Sequence, residues 1–271
     1  MKTVLTIAGS DPSAGAGIQA DLKTIHACGG YGFSVITAIT AQNTLGVEAV
    51  YPLPAKQVAQ QLHTLVKDRI PDAIKIGMLG NADIVEEVIA FLQKLRQIDR
   101  VPVVCDTVLL SSSGACLLEE EAVALFKQAL LPLCDWFTPN LPEAAHLLGL
   151  NEAAASQLQT ALQEWVAVMG NGAILKGGHG VDNICRDFLI TPKEVHALSH
   201  DKIQTSNLHG TGCTFASAFA TFLAQGRSPT LAFEQAKLYV SRAIEAGKNL
   251  QIGQGNGPLQ HFWQKNANQF K

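Results

Sequence analysis

The sequence predicts a mostly parallel α/β sheet covered by helices on both faces, and three observations predict it. Short apolar runs alternate with helical patterns from residue 4 to residue 247. The runs are brief and nearly continuous in apolar character, as in strands buried on both sides. Nearly every run ends in a glycine or a polar residue, which is where ligands bind in sheets of this kind.

Taken in order, residues 4–8 form a buried strand that stops at Gly9-Ser10-Asp11-Pro12, and 15–28 carry a helical pattern. Within that helix Gly15-Ala16-Gly17-Ile18-Gln19-Ala20 satisfies the dinucleotide fingerprint G-x-G-x-x-G/A. Six residues separate the strand from the first glycine, however, and the second strand (about 34–41) ends in Gln42-Asn43 without a carboxylate. A nicotinamide or flavin site is therefore rejected. β-type segments follow around 47–51, then a helix over 55–68. A strand at 73–76 ends at Gly77-Met78 and is followed by a helix over 81–96. A strand at 101–105 ends at Asp106, with a helix over 119–130. A strand at 136–138 leads through Pro139-Asn140 into helices across 141–169, and a strand at 173–176 ends in Gly177-Gly178-His179. A polar antiparallel stretch to about 205 and two helices over 211–247 complete the pattern. No repeat, low-complexity linker or charge block divides the chain, so residues 1–271 are expected to form one domain.

With 47% hydrophobic and 16% charged residues, the 271-residue chain can bury a sizeable core. A net charge of −3 without a basic run argues against nucleic acid and anionic membranes as partners, and no stretch is apolar enough to span a bilayer. The N-terminus enters a strand with no basic leader. Cysteines 28, 105, 116, 134, 185 and 213 show no C-x-x-C or paired Cys/His spacing and read as reduced thiols. A cytoplasmic protein is expected.

The chemistry concentrates at Asn207-Leu208-His209-Gly210-Thr211-Gly212-Cys213-Thr214, which runs straight into the apolar stretch 215–224. A glycine-rich turn opening a buried helix gathers free amide N–H groups and the positive end of the helix dipole, which suits a phosphate. Cys213 lies at that mouth, where a thiol pKa tends to fall. A plain turn with a buried cysteine is the competing interpretation. The other strand ends add carboxylates, amides and a lysine. Hard oxygen ligands without a His/Cys cluster favour Mg²⁺ over zinc. The set suggests phosphoryl transfer from a nucleotide, in a chain that lacks the P-loop motif G-x-x-x-x-G-K-[ST].

The residues themselves carry a resemblance. Residues 5–13 (Leu5 to Ser13), 15–24, Val35-Ile36-Thr37-Ala38 with Ala41-Gln42-Asn43-Thr44, Lys75-Ile76-Gly77-Met78-Leu79, Thr138-Pro139-Asn140-Leu141-Pro142-Glu143-Ala144, Lys176-Gly177-Gly178-His179, His209-Gly210-Thr211-Gly212-Cys213 and the tail 253–259 occur in one colinear order. Together they resemble the hydroxymethylpyrimidine/phosphomethylpyrimidine kinases of thiamine biosynthesis, within the ribokinase-like family. The resemblance implies a three-layer α/β/α fold with no large inserted lid domain, and ATP- and Mg²⁺-dependent phosphorylation of 4-amino-5-hydroxymethyl-2-methylpyrimidine to its monophosphate and then its diphosphate. It implies that Gln42 reads the aminopyrimidine, that Met78 and Val108 touch the ring, and that Asp21 lies near the hydroxymethyl group. Asp106, Asn140 and Glu143 would surround Mg²⁺ and phosphate, and Lys176 and Lys237 the nucleotide. The amides of Gly210, Thr211, Gly212 and Cys213 would hold the migrating phosphoryl group, and a Cys213 thiolate could accept the alcohol proton. Loss of that thiol is then expected to harm the first phosphorylation more than the second.

Each assignment has an ordinary alternative: a capping Asp, a loop Gln, core Met and Val, a solvated Lys176, a helix-surface Lys237, a first-turn Glu143. His179 and His209 lack partner spacing for a metal. The family also suggests a homodimer. Two positions depart from its pattern. Ser112, in Asp106-Thr107-Val108-Leu109-Leu110-Ser111-Ser112-Ser113-Gly114, replaces a flap lysine, and Leu208 replaces a threonine. A pyridoxal-type vitamin B6 kinase and a pyrimidine-binding protein with weak catalysis are the competing functions; a sugar kinase would carry aspartate at position 213.

Overall fold

β1 (Thr3–Ser10) pairs in parallel with β2 (Tyr31–Asn43), which turns back into the antiparallel edge strand β3 (Gly46–Pro52). The chain then crosses to the other side of β1 and adds β4 (Ala73–Ile76), β5 (Val103–Cys105), β6 (Trp136–Phe137) and β7 (Gly172–Leu175), all parallel. An antiparallel ribbon, β8 (Ile184–Ile190) and β9 (Val195–Asp201), closes the far edge. This computed structural model describes residues 1–108, 118–150, 154–178 and 183–264. Among them the nine strands form one sheet, ordered β3-β2-β1-β4-β5-β6-β7-β8-β9. The direction of winding reverses between β1 and β4, which opens a crevice at their carboxyl ends.

Helices cover both faces. α1 (Gly17–Ala27) lies on one side, and α2 (Ala55–Asp68), α3 (Ala82–Arg96), α4 (Glu120–Leu125), α5 (Leu141–Leu148) and α6 (Ala155–Met169) on the other. α7 (Thr211–Ala224) and α8 (Pro229–Gly247) join α1. Strand side chains alternate between the two cores, as the period of two requires. Leu5, Ile7, Ile74, Ile76, Val103 and Leu175 face the α2–α6 layer, whereas Val4, Ala73, Val104 and Ile174 face α1, α7 and α8. Phe215 and Phe219 of α7 are fully buried there, each stabilising the fold by roughly 1.5–3 kcal/mol. By the same alternation Thr6 and Lys75, which are register partners, point into the α1/α7 layer, where apolar residues would be expected.

Two boundaries differ from the sequence expectation. β2 is longer than 34–41 because it pairs on both edges, with β1 along its first half and β3 along its second. The helix expected over 119–130 is α-helical only to Leu125. It continues as a wider π turn, Phe126–Leu130, and a 3-10 turn, Leu131–Leu133. Pro132 lacks an N–H and crowds the carbonyl one turn back, so a regular helix cannot pass through it. The helices expected across 141–169 are α5 and α6, and α5 ends at Gly149, whose φ of 69° lies in the left-handed region. No described helix is long and apolar enough to cross a membrane.

Candidate active site

The turn before α7 is held from three sides. Gly210 has φ 83° and passes so close to the Gly15 carbonyl that any side chain would collide with it. Gly15 is pressed equally tightly against the His209 ring. The Gly15/Gly17 pair that mimics a dinucleotide fingerprint therefore serves loop-to-loop packing. The tail supplies the third side: His209 N–H donates to the Gly257 carbonyl at 3.1 Å, and Asn207 Nδ2 donates to the Gly247 and Leu250 carbonyls at 2.8 Å each. Thr214 N–H bonds the Gly210 carbonyl and Thr211 N–H the Leu208 carbonyl, but no hydrogen bond among the described residues engages the Gly212 and Cys213 amides. Two free donors thus remain in the first turn of α7.

Opposite Gly212 lie Asp106 and Lys176. A Cβ at position 212 would come within 3.3 Å of both Asp106 Oδ2 and Lys176 Nζ. Lys176 Nζ donates to Asp106 Oδ1 at 3.0 Å, and the Thr138 hydroxyl donates to the same oxygen at 2.9 Å. Lys176 reaches this point because the β6–β7 pairing extends one step further, with Asn140 beside Lys176. Burial acts against charge at Asp106, yet the Lys176 and Lys75 ammonium groups hold its pKa below the usual range. The same exchange raises Lys176: burial opposes the charge, and Asp106 and Glu143 outweigh it.

Asn140 and Glu143 form a capping box at the start of α5. Asn140 Oδ1 accepts from Glu143 N–H at 2.8 Å, and Glu143 Oε2 accepts from Asn140 N–H at 2.8 Å. The capping alternative is thus realised, but it is not the whole of Glu143. Its Oε2 also accepts from the Thr107 hydroxyl at 3.0 Å, and burial, with Asp106 adding repulsion, pushes the carboxyl up to about 7 despite the nearby Lys176. Glu143 Oε1 and Asp106 Oδ2 receive no hydrogen bond from a described residue.

Beneath the turn lies a second lysine–carboxylate pair. Asp21 of α1 is fully buried. Its oxygens accept from Lys75 Nζ at 2.8 and 2.9 Å, the Thr6 hydroxyl at 2.6 Å and the Ser217 hydroxyl of α7 at 2.8 Å. Asp21, expected near the substrate's hydroxymethyl group, is thus an interior residue whose oxygens are taken up by Lys75, Thr6 and Ser217. Lys75 was not singled out in the sequence. Burial would discharge it, but Asp21 keeps it protonated, with its pKa raised; Cys213 and Asp106 act in the same direction. The Cys213 thiol also departs from expectation. Burial pushes it up to about 12, Asp21 and Asp106 add to the rise, and Lys75 and the Gly17 N–H only partly oppose it. The thiol keeps its proton at neutral pH.

At the β1/β2 end, Met78 and Ala38 form a small buried cluster against the half-buried Val50 and Val108, apart from the two large cores. The Gly9 backbone lies against the Met78 thioether; a Cβ there would be 3.1 Å from Sδ. Gln42, half-buried at the end of β2, stands beside this cluster's strand, with Nε2 3.2 Å from His209 Nε2. His209 in turn meets Asp11 Oδ2 at 2.8 Å. No metal-binding group of three or more His, Cys, Asp and Glu occurs among the described residues. Lys237 is not a solvated helix-surface lysine: it pairs with the buried Asp187 at 2.5 Å, and Asp187 accepts the Gly177 N–H at 2.8 Å. It thereby braces the turn that follows Lys176. Ser112 and His179 lie outside the described residues.

The fold and this site define a small-molecule phosphotransferase without a P-loop. Comparison with known proteins specifies the family: the phosphomethylpyrimidine kinase model matches residues 11–260, and the chain belongs to that family. It is 46% identical over 259 residues to the hydroxymethylpyrimidine/phosphomethylpyrimidine kinase of Escherichia coli (strain K12), covering 95% of this chain and 96% of that protein. The phosphomethylpyrimidine kinase of Clostridium difficile 630 superimposes with a TM-score of 0.79 at 38% identity, over 90% of this chain and 100% of the other. A pyridoxal kinase from Staphylococcus aureus, in complex with AMP-PCP and pyridoxal, superimposes with a TM-score of 0.86 at 34% identity, over 97% and 94% of the two chains.

Proposed function

We propose that the protein transfers the γ-phosphoryl group of ATP to the hydroxymethyl oxygen of 4-amino-5-hydroxymethyl-2-methylpyrimidine, then transfers a second phosphoryl group to that product, supplying the pyrimidine diphosphate for thiamine biosynthesis. The observation that carries this is the juxtaposition of the free Gly212 and Cys213 amides with Lys176 and Asp106, at the same end of the sheet as Gln42 and Met78.

Phosphoryl transfer passes through a loose transition state, so positioning and charge stabilisation dominate. The Gly212 and Cys213 N–H groups, at the positive end of α7, receive the oxygens of the migrating group. Lys176 supplies a fixed positive charge facing them, and Asn140 and the Lys237–Asp187 brace hold the nucleotide side in place. Asp106 and Glu143 fit a magnesium ion: both are hard oxygen donors, each has an oxygen that no described residue bonds, and burial, with Asp106 adding repulsion, raises Glu143. Bound there, Mg²⁺ would neutralise charge on the nucleotide phosphates. Gln42 meets the ring's nitrogen and amine, while Met78 and Val108 cover its face. In the first transfer the nucleophile is an alcohol, and as its oxygen bonds phosphorus and the bond to ADP breaks, its proton passes late to an oxygen of the transferred phosphoryl group and on to solvent. In the second it is a phosphate oxygen already largely ionised near neutral pH. A protonated Cys213 orients the acceptor oxygen in both.

The test is Mg²⁺-dependent product formation from ATP, resolved by phosphorus NMR. Monophosphate followed by diphosphate supports the full reading; arrest at monophosphate removes the second step. Turnover of pyridoxal but not the pyrimidine moves the protein to the vitamin B6 kinases. Pyrimidine binding without turnover leaves only a binding protein. The partners on this reading are small molecules, with a homodimer expected from sedimentation.

A further inference from the structure

A carboxamide carries a donor and an acceptor, and a half-turn about its last bond exchanges them. The surroundings of Gln42 remove that freedom. Asp11 accepts from Ser13 N–H at 2.8 Å, the Ser13 hydroxyl at 2.7 Å, Gly15 N–H at 3.1 Å, Ala16 N–H at 2.8 Å and His209 Nε2 at 2.8 Å. A carboxylate so filled with donors is ionised, and His209 Nε2 must carry the hydrogen that it gives. The nitrogen end of the Gln42 amide lies 3.2 Å from that same Nε2, and its oxygen end 3.2 Å from the Thr40 hydroxyl. In that orientation two donors face each other at His209. The single Thr40 hydrogen is also claimed twice, because the Ser10 carbonyl takes it at 3.0 Å. The half-turn resolves both conflicts: the amide oxygen accepts a share of the His209 N–H, and the amide N–H donates to the Thr40 oxygen.

We infer that His209, fixed by Asp11, locks the Gln42 carboxamide with its oxygen toward His209, and thereby sets the donor–acceptor order that the site accepts from a planar ring. This rests on the pyrimidine-kinase reading for the identity of that ring. On the pyrimidine-kinase reading the hydroxymethyl group points at the α7 turn and fixes which way the ring lies, so a locked amide accepts one order only, that of an exocyclic amine beside an acceptor ring nitrogen, as in the 4-aminopyrimidine. The 4-oxo counterpart presents an acceptor beside a ring N–H, the reverse order. A freely turning Gln42 would accommodate either. The Thr40 hydroxyl can donate or accept, so it cannot hold the amide alone. His209 is a positioning residue that acts through Gln42.

The experiment is calorimetric titration of the full chain with the 4-amino and the 4-oxo forms of 5-hydroxymethyl-2-methylpyrimidine. The wild type is expected to favour the amino form by about a hundredfold, since a buried mismatch leaves donor against donor. His209→Phe keeps a ring against Gly15 but removes the donor, and the preference should fall to below about tenfold. His209→Gln, whose amide nitrogen can donate to both Asp11 and Gln42, should retain it. If His209→Phe does not fold, His209→Ala provides the same reading. Equal weakening of both ligands in the donor-less variant, with the ratio unchanged, overturns the inference, as does a wild type without preference. Failure of the wild type to bind either ligand overturns the pyrimidine reading, and this inference with it.

Discussion

Asp21–Lys75 and Asp106–Lys176 are chemically the same pair placed in two regions of one molecule, yet they are built for opposite purposes. Asp21 and Lys75 are both 0% exposed, and the hydroxyls of Thr6 and Ser217 complete the carboxylate's bonding. Asp106 and Lys176 are 2% and 15% exposed, and one carboxylate oxygen is left facing Gly212. The first pair is closed and ties α1, β1, β4 and α7 together beneath the turn. The second is open, at the carboxyl edge of β5–β7, where a ligand can complete it. A lysine–carboxylate contact therefore says little by itself about role; the unfilled valence does. Cys213, between the two, feels both.

Opening the site pair should show the largest effect. Asp106→Asn is expected to lower kcat by about a hundredfold to a thousandfold, with little change in the urea midpoint, because it removes a group that acts on the reacting charges. An unchanged kcat would place Asp106 with the closed pair. Breaking the closed pair should show the converse. Asp21→Asn leaves Lys75 buried without its counter-charge and should cost about 3–5 kcal/mol of stability by urea unfolding. The double replacement Asp21→Leu/Lys75→Met should recover most of that loss, since a well-packed apolar pair often matches a buried ion pair. If the double variant is as unstable as the single, the pair holds α7 through directed hydrogen bonds and not charge alone.

The smallest effect concerns Cys213, and it sharpens the comparison. With its thiol pushed up to about 12, Cys213 is mostly protonated across the neutral range, and alkylation should rise only as pH climbs well above 9. Peptide mapping after iodoacetamide treatment at pH 7 to 10 reads this directly. Lys75→Met removes the cation that opposes the rise, so alkylation at a given pH should slow further. Cys213→Ala should reduce the first and second phosphorylations by similar factors, on the order of tenfold, because a protonated thiol orients without taking a proton. A loss confined to the first step would restore the thiolate base.

Much of the architecture was legible because it depends on local pattern. Strands 4–8, 73–76 and 173–176 are apolar runs closed by glycine or a polar residue, and their alternation with helices dictates a parallel sheet. The anion turn was legible for the same reason: glycines, a thiol and an apolar helix follow one another within a few residues. Lys75 was not, because a lysine inside an apolar strand carries no mark of the carboxylate on α1 that neutralises it. The Asp11–His209–Gln42 chain was equally hidden, since His209 follows Asp11 by 198 positions and Gln42 by 167. Asp21 was legible as a special position but not as an interior one.

By itself the sequence determined the order of elements, the strand ends where chemistry could gather, and the family, all of which follow from residues near one another in the chain or matched in colinear order. Only the tertiary structure decided which lysine is sealed and which is open, that burial pushes the Cys213 thiol up, and that Gln42 meets His209 and Asp11. Charge, burial and hydrogen-bond valence are set by neighbours in space, and here those neighbours come from opposite ends of the chain.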